Sequence, residues 1–353
     1  MFKIIDLYIA RTLFGSIAVT LSVLIGLSAL IKFVEQLRRV GQGDYDMTLA
    51  GLYVLLSLPR EVELFLPMAT LLGALIGMGL LAQSSELVVM QAAGLSRTKI
   101  TLSATKSVVI IIIAVMALSE WVTPQSESKA KQIRTQALSG GSVLASGNLT
   151  WAKDGNNFVS IGQVLDQSTL QEISIYEFNN DLDLVKVKSV EQAVFDQSKW
   201  LIYGVQTVEF SESRISTSYN VSEIWDSSIT PDKLGIVAIK PEALSIAGLY
   251  EYVAYLQNNG QESARYELAY WRKILQPFTV VVMLLTAMSF IFGPLRSVSM
   301  GARTSMGILA GFAFFISNEI FGQAALVFQL APIIGAVLPS LLFAVVATYL
   351  LKR

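Results

Sequence analysis

The sequence has 353 residues, of which 53% are hydrophobic and 15% charged, with no histidine, no cysteine and a formal net charge of −1. Soluble domains carry roughly 25% charged residues, so this composition favours a protein with much of its surface in lipid. The missing histidine and cysteine exclude disulfides, thiolate zinc sites and thiol nucleophiles. The near-neutral charge argues against a generally basic, nucleic-acid-binding protein.

Long apolar stretches with few or no charges follow one another along the chain. Crossing a bilayer takes about 20 such residues, and every stretch reaches that length. The last one contains a single charged residue, Glu319, and Pro332 divides it into two helices joined by a tight turn. Six transmembrane helices are therefore predicted, three on each side of a central segment. The stretches are 13–31, 64–83, 100–119 (interrupted by Lys106), 274–295 and 304–351.

The central segment changes to short alternating runs separated by turn residues. Its first turn, Asp154-Gly155-Asn156, is a hairpin signal, and a separate final run follows Gly204. Several short strands at this spacing predict an all-β sandwich, roll or open barrel. Residues 245–257 return to a helical period, which predicts an amphipathic connector into the fourth span. The predicted strands are 150–152, 158–161, 173–178, 184–190, 193–195, 200–203 and 206–210.

The predicted organisation is a membrane α-helical bundle with an inserted all-β domain. Transmembrane helices 1–3 occupy residues 1–124, and the β domain with its connecting helix occupies residues 125–266. Transmembrane helices 4–6 occupy residues 267–353. The positive-inside rule places both termini in the cytoplasm and the β domain outside, because one side holds more basic residues. That side has Lys3, Arg11, Arg97, Lys99, Lys106, Arg296, Arg303, Lys352 and Arg353, against Lys32, Arg38, Arg39 and Arg60 on the other.

Signatures of catalysis are missing from the sequence. It has no phosphate-binding loop of the Gly-x-x-x-x-Gly-Lys-Ser/Thr type, no Gly-x-Ser-x-Gly, and no histidine for a zinc-protease motif. The predicted spans contain no aspartate pair for an intramembrane protease. We therefore expect a chain that is not an enzyme, has no cofactor or metal of its own, and draws energy from an ion gradient or a partner.

Residues 84–94, between the second and third spans, predict a short amphipathic helix on the cytoplasmic side. A serine can cap its start, Glu86 suits the positive helix N-terminus, and Gly94 can end it. One interpretation is an ordinary interfacial turn. The other is a coupling helix that docks into a groove on a cytoplasmic motor through Glu86, Leu87 and Met90, oriented by Arg97.

Basic residues cluster near the outer end of the first span. Lys32, Arg38 and Arg39 either snorkel to the interface or form a cationic ring that receives an anionic lipid headgroup. Lys131 and Arg134, beyond the third span, add to the same ring.

The fifth span contains one acid, Glu319. A carboxylate at that depth is costly, so we expect it to face the bundle or a wet cavity and to pair with Lys32 or with a partner subunit. Small-residue spacings in two spans, Gly73-x-x-x-Gly77 and Gly307-x-x-x-Gly311, allow close helix approach.

Taken together, five stretches make the sequence similar to a known family. It resembles the lipopolysaccharide-export permeases of Gram-negative bacteria, the LptF/LptG family, and more closely its LptG branch, from end to end. The matching stretches are IKFVEQL (31–37), SELVVMQA (85–92), WAKDGNNFV (151–159), TPDKLG (230–235) and FIFGPLRS (290–297).

The resemblance implies one subunit of an ABC transporter in the inner membrane. It implies a heterodimer with the homologous permease LptF, two copies of the ATPase LptB that use ATP and Mg²⁺, and the single-span subunit LptC. The complex would extract lipopolysaccharide from the outer leaflet and pass it through periplasmic β-jellyroll domains to a bridge towards the outer membrane.

The resemblance also implies roles for particular residues. Glu86 would contact the ATPase, and residues 154–158 would form a hairpin of the jellyroll. Ser84 departs from the family, in which a basic residue is expected before the coupling acid. The residues expected to meet lipid phosphates or sugars are Lys32, Arg38, Arg39 and Arg134.

Two other functions stay open at this point. An exporter driven by an ion gradient would need paired intramembrane acids, and Glu319 is the one acid predicted there. A non-transporting membrane scaffold would explain the outer β domain but not a coupling helix.

Overall fold

The computed structural model describes residues 4–139, 150–164, 168–179, 181, 183–196, 199–211, 214–227, 229–231, 241–292 and 299–352. Within these ranges, six helices are long and apolar enough to cross a membrane, and a six-stranded antiparallel sheet separates the third from the fourth. The predicted fold class, a helical membrane bundle with an inserted β domain, is confirmed. Outside the described residues lie Lys3, Arg296, Arg353 and parts of the stretches 230–235 and 290–297.

The first half of the bundle contains three spans and a short helix. Asp46 begins the second span by accepting a hydrogen bond from the Leu49 amide at 2.8 Å. The end of the bundle that carries the β domain is called the outer face below, and the opposite end the inner face. The elements are α1 (Ile4–Leu37), α2 (Met47–Gln83), α3 (Glu86–Ala92), α4 (Arg97–Ala117), a π-helical turn (Leu118–Val122) and α5 (Thr123–Ser139).

The third span continues as a helix beyond its predicted end at residue 119. The Thr123 amide donates to the carbonyl of Leu118, five residues earlier, and Pro124 has no amide hydrogen for the carbonyl of Glu120. The extra residue in the π-helical turn absorbs this break, so the chain continues into the polar helix α5. The segment predicted to begin the β domain at residue 125 is therefore helical to Ser139.

Glycines set the close contacts of α2. A Cβ on Gly73 would lie 2.6 Å from the Cα of Ile17, and one on Gly77 would lie 2.5 Å from the hydroxyl of Ser16, both on α1. On its other side, α2 packs against Gly307 and Gly311 of the fifth span. Both predicted small-residue motifs thus mediate helix contacts, and α2 lies between the first and fifth spans.

The second half of the bundle contains the other three spans and a connecting helix. Pro332 is the first residue of the last helix, where its missing amide hydrogen costs nothing, so the predicted division of 304–351 into two spans is confirmed. The predicted connector is confirmed as well, since Ser245 caps it by accepting from the Gly248 amide. The elements are α6 (Ile246–Asn258), α7 (Ala264–Phe292), α8 (Met300–Val327) and α9 (Pro332–Lys352).

The β domain is a meander in which every strand pairs with the next one along the chain. Its apolar side encloses one core around Trp200, whose indole donates to the Ile229 carbonyl at 2.7 Å. The strands are β1 (Thr150–Asp154), β2 (Asn157–Val164), β3 (Thr169–Phe178), β4 (Leu184–Asp196), β5 (Lys199–Ser211) and β6 (Arg214–Trp225).

The prediction of separate strands at 184–190 and 193–195 is wrong, because both belong to β4. The prediction of separate strands at 200–203 and 206–210 is wrong as well, because both belong to β5. Gly204 has a φ of +65° and lies opposite Glu191, whose side chain a Cβ would meet at 2.6 Å. A glycine here lets the strand continue through a local irregularity instead of ending it.

Candidate functional site

The inner face carries the predicted coupling helix, α3. Its end follows the expectation: Gly94, with φ +90°, donates to the Gln91 carbonyl at 3.0 Å, and Leu95 donates to that of Met90 at 3.1 Å. This pair of bonds is a Schellman motif. The predicted serine cap is wrong, because Ser85 precedes the helix at φ +63° without a side-chain cap.

Glu86 is held by two hydroxyl groups. The Tyr8 hydroxyl of α1 donates to one carboxylate oxygen at 2.6 Å, and the Ser84 hydroxyl donates to the other at 2.9 Å. Ser84, at the position where the resemblance implies a basic residue, thus binds the acid. The coupling-helix hypothesis places the Glu86 carboxylate against the motor, and this carboxylate is hydrogen-bonded to the first span.

The two faces of α3 differ in exposure. Leu87 is 3% exposed, and both it and Met90 pack into the core of the bundle. Val88 and Val89 are 64% and 66% exposed. The predicted residues Leu87 and Met90 therefore anchor the helix, and the outward apolar surface consists of the two valines.

Arg97 starts the helix that follows α3. The Ser96 hydroxyl caps this helix by accepting from the Lys99 amide at 3.3 Å. Arg97 is therefore set at the inner end of α4, five residues after α3 ends at Ala92. The structure brings it to the same face of the bundle as Glu86.

At the outer face, Lys32 forms an ion pair with Glu61 of α2. The ammonium lies 2.6 Å from the carboxylate, to which Ser28 also donates at 2.6 Å. Glu61 is 4% exposed, whereas a quarter of the Lys32 side chain is accessible. Lys32 thus neutralises a buried acid and still reaches the surface.

Arg38, Arg39 and Arg134 belong to one outer region. The loop after α1 is fastened to α5 by the Asp44 amide, which donates to the Ala137 carbonyl at 2.9 Å. Arg38 and Arg39 are exposed in that loop. The guanidinium of Arg134 lies 5.2 Å from the centre of the Tyr53 ring and donates to its hydroxyl.

A buried tyrosine lies at the centre of this region. Burial raises the pKa of the Tyr45 hydroxyl, while the positive charges of Arg134 and Arg39 oppose that rise. Lys131 lies one helical turn before Arg134 on α5. Of the predicted ring, Arg39 and Arg134 therefore lie near Tyr45, whereas Lys32 is paired with Glu61 of α2.

The expectation that Glu319 pairs with Lys32 is wrong. Its carboxylate lies 3.8 Å from Arg272 of α7, and its side chain is 54% exposed, so it does not lie inside the bundle of this chain. Arg272 also donates to the Asn318 carbonyl. The next residue, Lys273, is buried between Glu63 at 3.3 Å and the Ser119 hydroxyl at 2.8 Å.

Apolar side chains form exposed stripes on two spans. The α1 stripe is at least 57% exposed at every position, and its spacing of three or four residues keeps it on one face of the helix. A second stripe runs along α8. The α1 stripe consists of Val19, Val23, Leu27, Leu30 and Val34, and the α8 stripe of Leu309, Phe312, Phe315, Ile316 and Ile320.

Comparison with known proteins decides the family. The sequence model described as lipopolysaccharide export system permease LptF/LptG matches residues 7–353. The chain belongs to this family. It is 49% identical to the LptG of Escherichia coli (strain K12), over 100% of this chain and 99% of that protein. The LptG of Haemophilus influenzae (strain Rd) is 47% identical with the same coverage.

The other member of the LptF/LptG family is more distant. The LptF of Escherichia coli (strain K12) is 28% identical over 172 residues, or 48% of this chain and 47% of that protein. The resemblance to the family, and its closer likeness to LptG, are thus confirmed.

Sequence reasoning missed several residues of this LptF/LptG permease. The acids Glu61 and Glu63 directly precede the apolar stretch 64–83, which was the available signal for a charged layer at its outer end. Lys273 directly precedes the stretch 274–295 in the same way. The role of Tyr8 had no signal, because its partner is 78 residues away.

Proposed function

We propose that this chain is a permease subunit of an ATP-driven ABC transporter that extracts lipopolysaccharide from the outer leaflet of the inner membrane and passes it to a periplasmic bridge. The observation that carries this proposal is the exposed α1 stripe, which leads up to Lys32 and to the outer cations. Acyl chains gain about 0.8 kcal/mol for each buried CH₂, so a lipid leaves the bilayer only if an apolar surface receives its chains.

The partner across this surface is a related permease subunit, LptF. The α1 and α8 stripes lie on spans that flank α2 on opposite sides, and both expose large apolar side chains. Two such subunits facing one another would enclose a cavity between their stripes. Its outer rim would present Arg38, Arg39 and Arg134 to phosphate groups, for which arginine forms strong bidentate bonds.

The motor is a separate ATPase, two copies of LptB, which would hold ATP and Mg²⁺. The sequence has no phosphate-binding loop, and α3 presents Glu86, Val88 and Val89 on the inner face. An amphipathic helix with an exposed apolar surface suits a groove on such a partner. The remaining partners would be the single-span subunit LptC and the periplasmic bridge protein.

The location follows from this assembly. The β domain would lie in the periplasm, where the bridge begins, and α3 and both termini in the cytoplasm, where the ATPase works. An ion-gradient exporter is less well supported, because the buried acids Glu61 and Glu63 are each paired with a lysine among the described residues. Such pairing opposes a proton relay.

Glu86→Lys tests the proposal in proteoliposomes that contain this chain, LptF and LptB, with lipopolysaccharide release to a soluble acceptor as the measurement. We expect release to fall at least about tenfold, because the reversal places a positive charge against the motor. The ATPase should still co-purify. Asp226→Lys, which reverses an exposed acid in the β domain, is the matched control.

Two results would overturn the proposal. One is release by Glu86→Lys at the wild-type rate with the ATPase bound. The other is release from the unaltered complex that depends on a proton gradient and not on ATP.

A further inference from the structure

The connecting helix α6 is fastened at both ends, to the bundle at its start and to the β domain at its end. At its start, Glu120 accepts hydrogen bonds from the amides of Ile246 at 2.8 Å and Ala247 at 3.3 Å. These amides belong to the first turn, whose donors have no partners inside the helix. A carboxylate there also complements the helix dipole.

Glu120 lies on the π-helical turn of the third span (Leu118–Val122). Its position fixes where α6 begins relative to α4 and α5. A second ion pair lies beside this joint, where Arg60 of α2 lies 3.5 Å from Glu242, three residues before the cap Ser245. The start of α6 is therefore set by charges from two spans.

At its other end, α6 holds the hairpin of β1 and β2. The Tyr255 hydroxyl donates to the Lys153 carbonyl at 2.8 Å, and the Gly155 amide donates to the Asn259 side chain at 2.9 Å. Burial, and then the negative charge of Asp154, raise the pKa of Tyr255 to about 12, so the hydroxyl keeps its proton. The strand β1 is an edge of the sheet, so this contact joins that edge to α6.

The body of α6 is packed along α7. Leu249 is fully buried beside Ala269, and the rings of Tyr252 and Tyr266 are 4.7 Å apart. The helix is thus packed along α7 and bonded at both ends, so it links Glu120 to the hairpin.

We propose that Glu120 is a positioning residue for lipid transfer, acting through α6 to set the β1–β2 hairpin against the outer mouth of the bundle. The inference rests on the proposed function and adds the path by which movement at the inner face would reach the β domain. Movement of α3 would shift α4, a helix of 21 residues or about 30 Å, and the π-helical turn at its outer end. Glu120 would convey that shift to α6 and hence to the edge of the β domain.

The chain offers two sites that report separate stages of transport. Leu27 lies in the α1 stripe, and Phe195 packs against the core of the β domain. A photo-crosslinking phenylalanine analogue at each site, in otherwise unaltered chains, measures lipopolysaccharide captured in the bundle and in the β domain. The full complex in proteoliposomes is used, with and without ATP.

We expect Glu120→Ala to lower ATP-dependent crosslinking at Phe195 about tenfold, as for the loss of charge-assisted hydrogen bonds. Crosslinking at Leu27 and ATP hydrolysis should be unchanged. Glu120→Gln keeps one acceptor and should show an intermediate loss, which separates positioning from a failure to fold. Glu251→Gln, at an exposed acid on α6 itself, is the matched control.

Wild-type crosslinking at Phe195 in Glu120→Ala would overturn the inference. So would an equal loss at both sites, because Glu120 would then support the whole bundle and not the transfer. A complex with unaltered Glu120 that shows no ATP-dependent crosslink at either site would instead contradict the proposed function.

Discussion

The role of an individual charged residue in this permease depends on the side chains that bind it. Glu86 would be an exposed acid on a short helix if Tyr8 did not donate to it from α1 at 2.6 Å. Lys32 would be a snorkelling anchor if Glu61 were not buried beside it. Leaving the buried Glu61 carboxylate without its lysine costs several kcal/mol.

Tyr8→Phe removes the hydroxyl that holds Glu86 and leaves the ring in place. One hydrogen bond contributes about 0.5–1.5 kcal/mol, so we expect ATP-driven lipopolysaccharide release to fall about two- to tenfold. Co-purification of the ATPase should not change, because Val88 and Val89 still face outward. Tyr219→Phe, at a tyrosine 64% exposed in the β domain, is the control. Unchanged release by Tyr8→Phe would show that the hydrogen bond between Tyr8 and Glu86 has no role in coupling.

Charge removal at Lys32 and Glu61 separates stability from lipid binding. Lys32→Gln alone should lower the free energy of unfolding by about 3–5 kcal/mol, because it leaves the Glu61 carboxylate buried and unpaired. The double variant Lys32→Gln/Glu61→Gln should recover stability, since two neutral amides replace the ion pair. Lipopolysaccharide crosslinking at the α1 stripe should stay low in both variants, because the exposed cation is gone.

Thermal unfolding of the purified complex and photo-crosslinking give the two measurements for this pair. If the double variant recovers crosslinking together with stability, Lys32 only neutralises Glu61. The lipid phosphates would then be met by the cations around Tyr45 alone.

At the scale of elements, glycine contacts decide how the spans approach one another. The first span packs on α2 through Gly73 and Gly77 and is exposed elsewhere along its apolar stripe. A helix packed on one side and exposed along a wide apolar face suits a wall of a cavity that opens and closes. The opposite side of α2 receives α8, so a shift of α2 reaches both stripes.

Gly73→Ala should destabilise the bundle by about 1–3 kcal/mol, because the added Cβ meets the backbone of Ile17 at 2.6 Å. The matched control is Gly26→Ala on α1, where nothing lies within 4 Å of the new Cβ. That substitution should be neutral or stabilising by up to about 1 kcal/mol, since alanine favours the helix. Midpoints of thermal unfolding in detergent measure both. Equal midpoints for the two variants would contradict the close α1–α2 packing.

At the scale of the whole molecule, charge is confined to the two ends of an apolar bundle. The inner end carries α3 with its held acid, and the outer end carries the paired layer of Lys32, Glu61, Glu63 and Lys273. Helix α4 joins the two ends, and α6 extends the connection to the sheet. The chain therefore has a packed route from α3 to the β domain.

Local chemistry made much of this architecture predictable from the sequence. The length of apolar stretches predicts spans, Pro332 divides the last of them, and Gly94 ends α3. Hairpin turns such as Asp154-Gly155-Asn156 are recognised from neighbouring residues. The β5 strand was misjudged because Gly204, usually a sign of interruption, is accommodated by pairing with strands on both sides.

The sequence by itself determined the number of spans, the inserted β domain and the family, because these depend on hydropathy, turn chemistry and motifs within short stretches. Only the tertiary structure decided the partners of the charged groups. Lys32 binds Glu61 and not Glu319, and Glu120 caps a helix 126 residues away. Such pairs depend on the rotation and depth of each packed helix, and on the cost of leaving any charge alone in an apolar bundle.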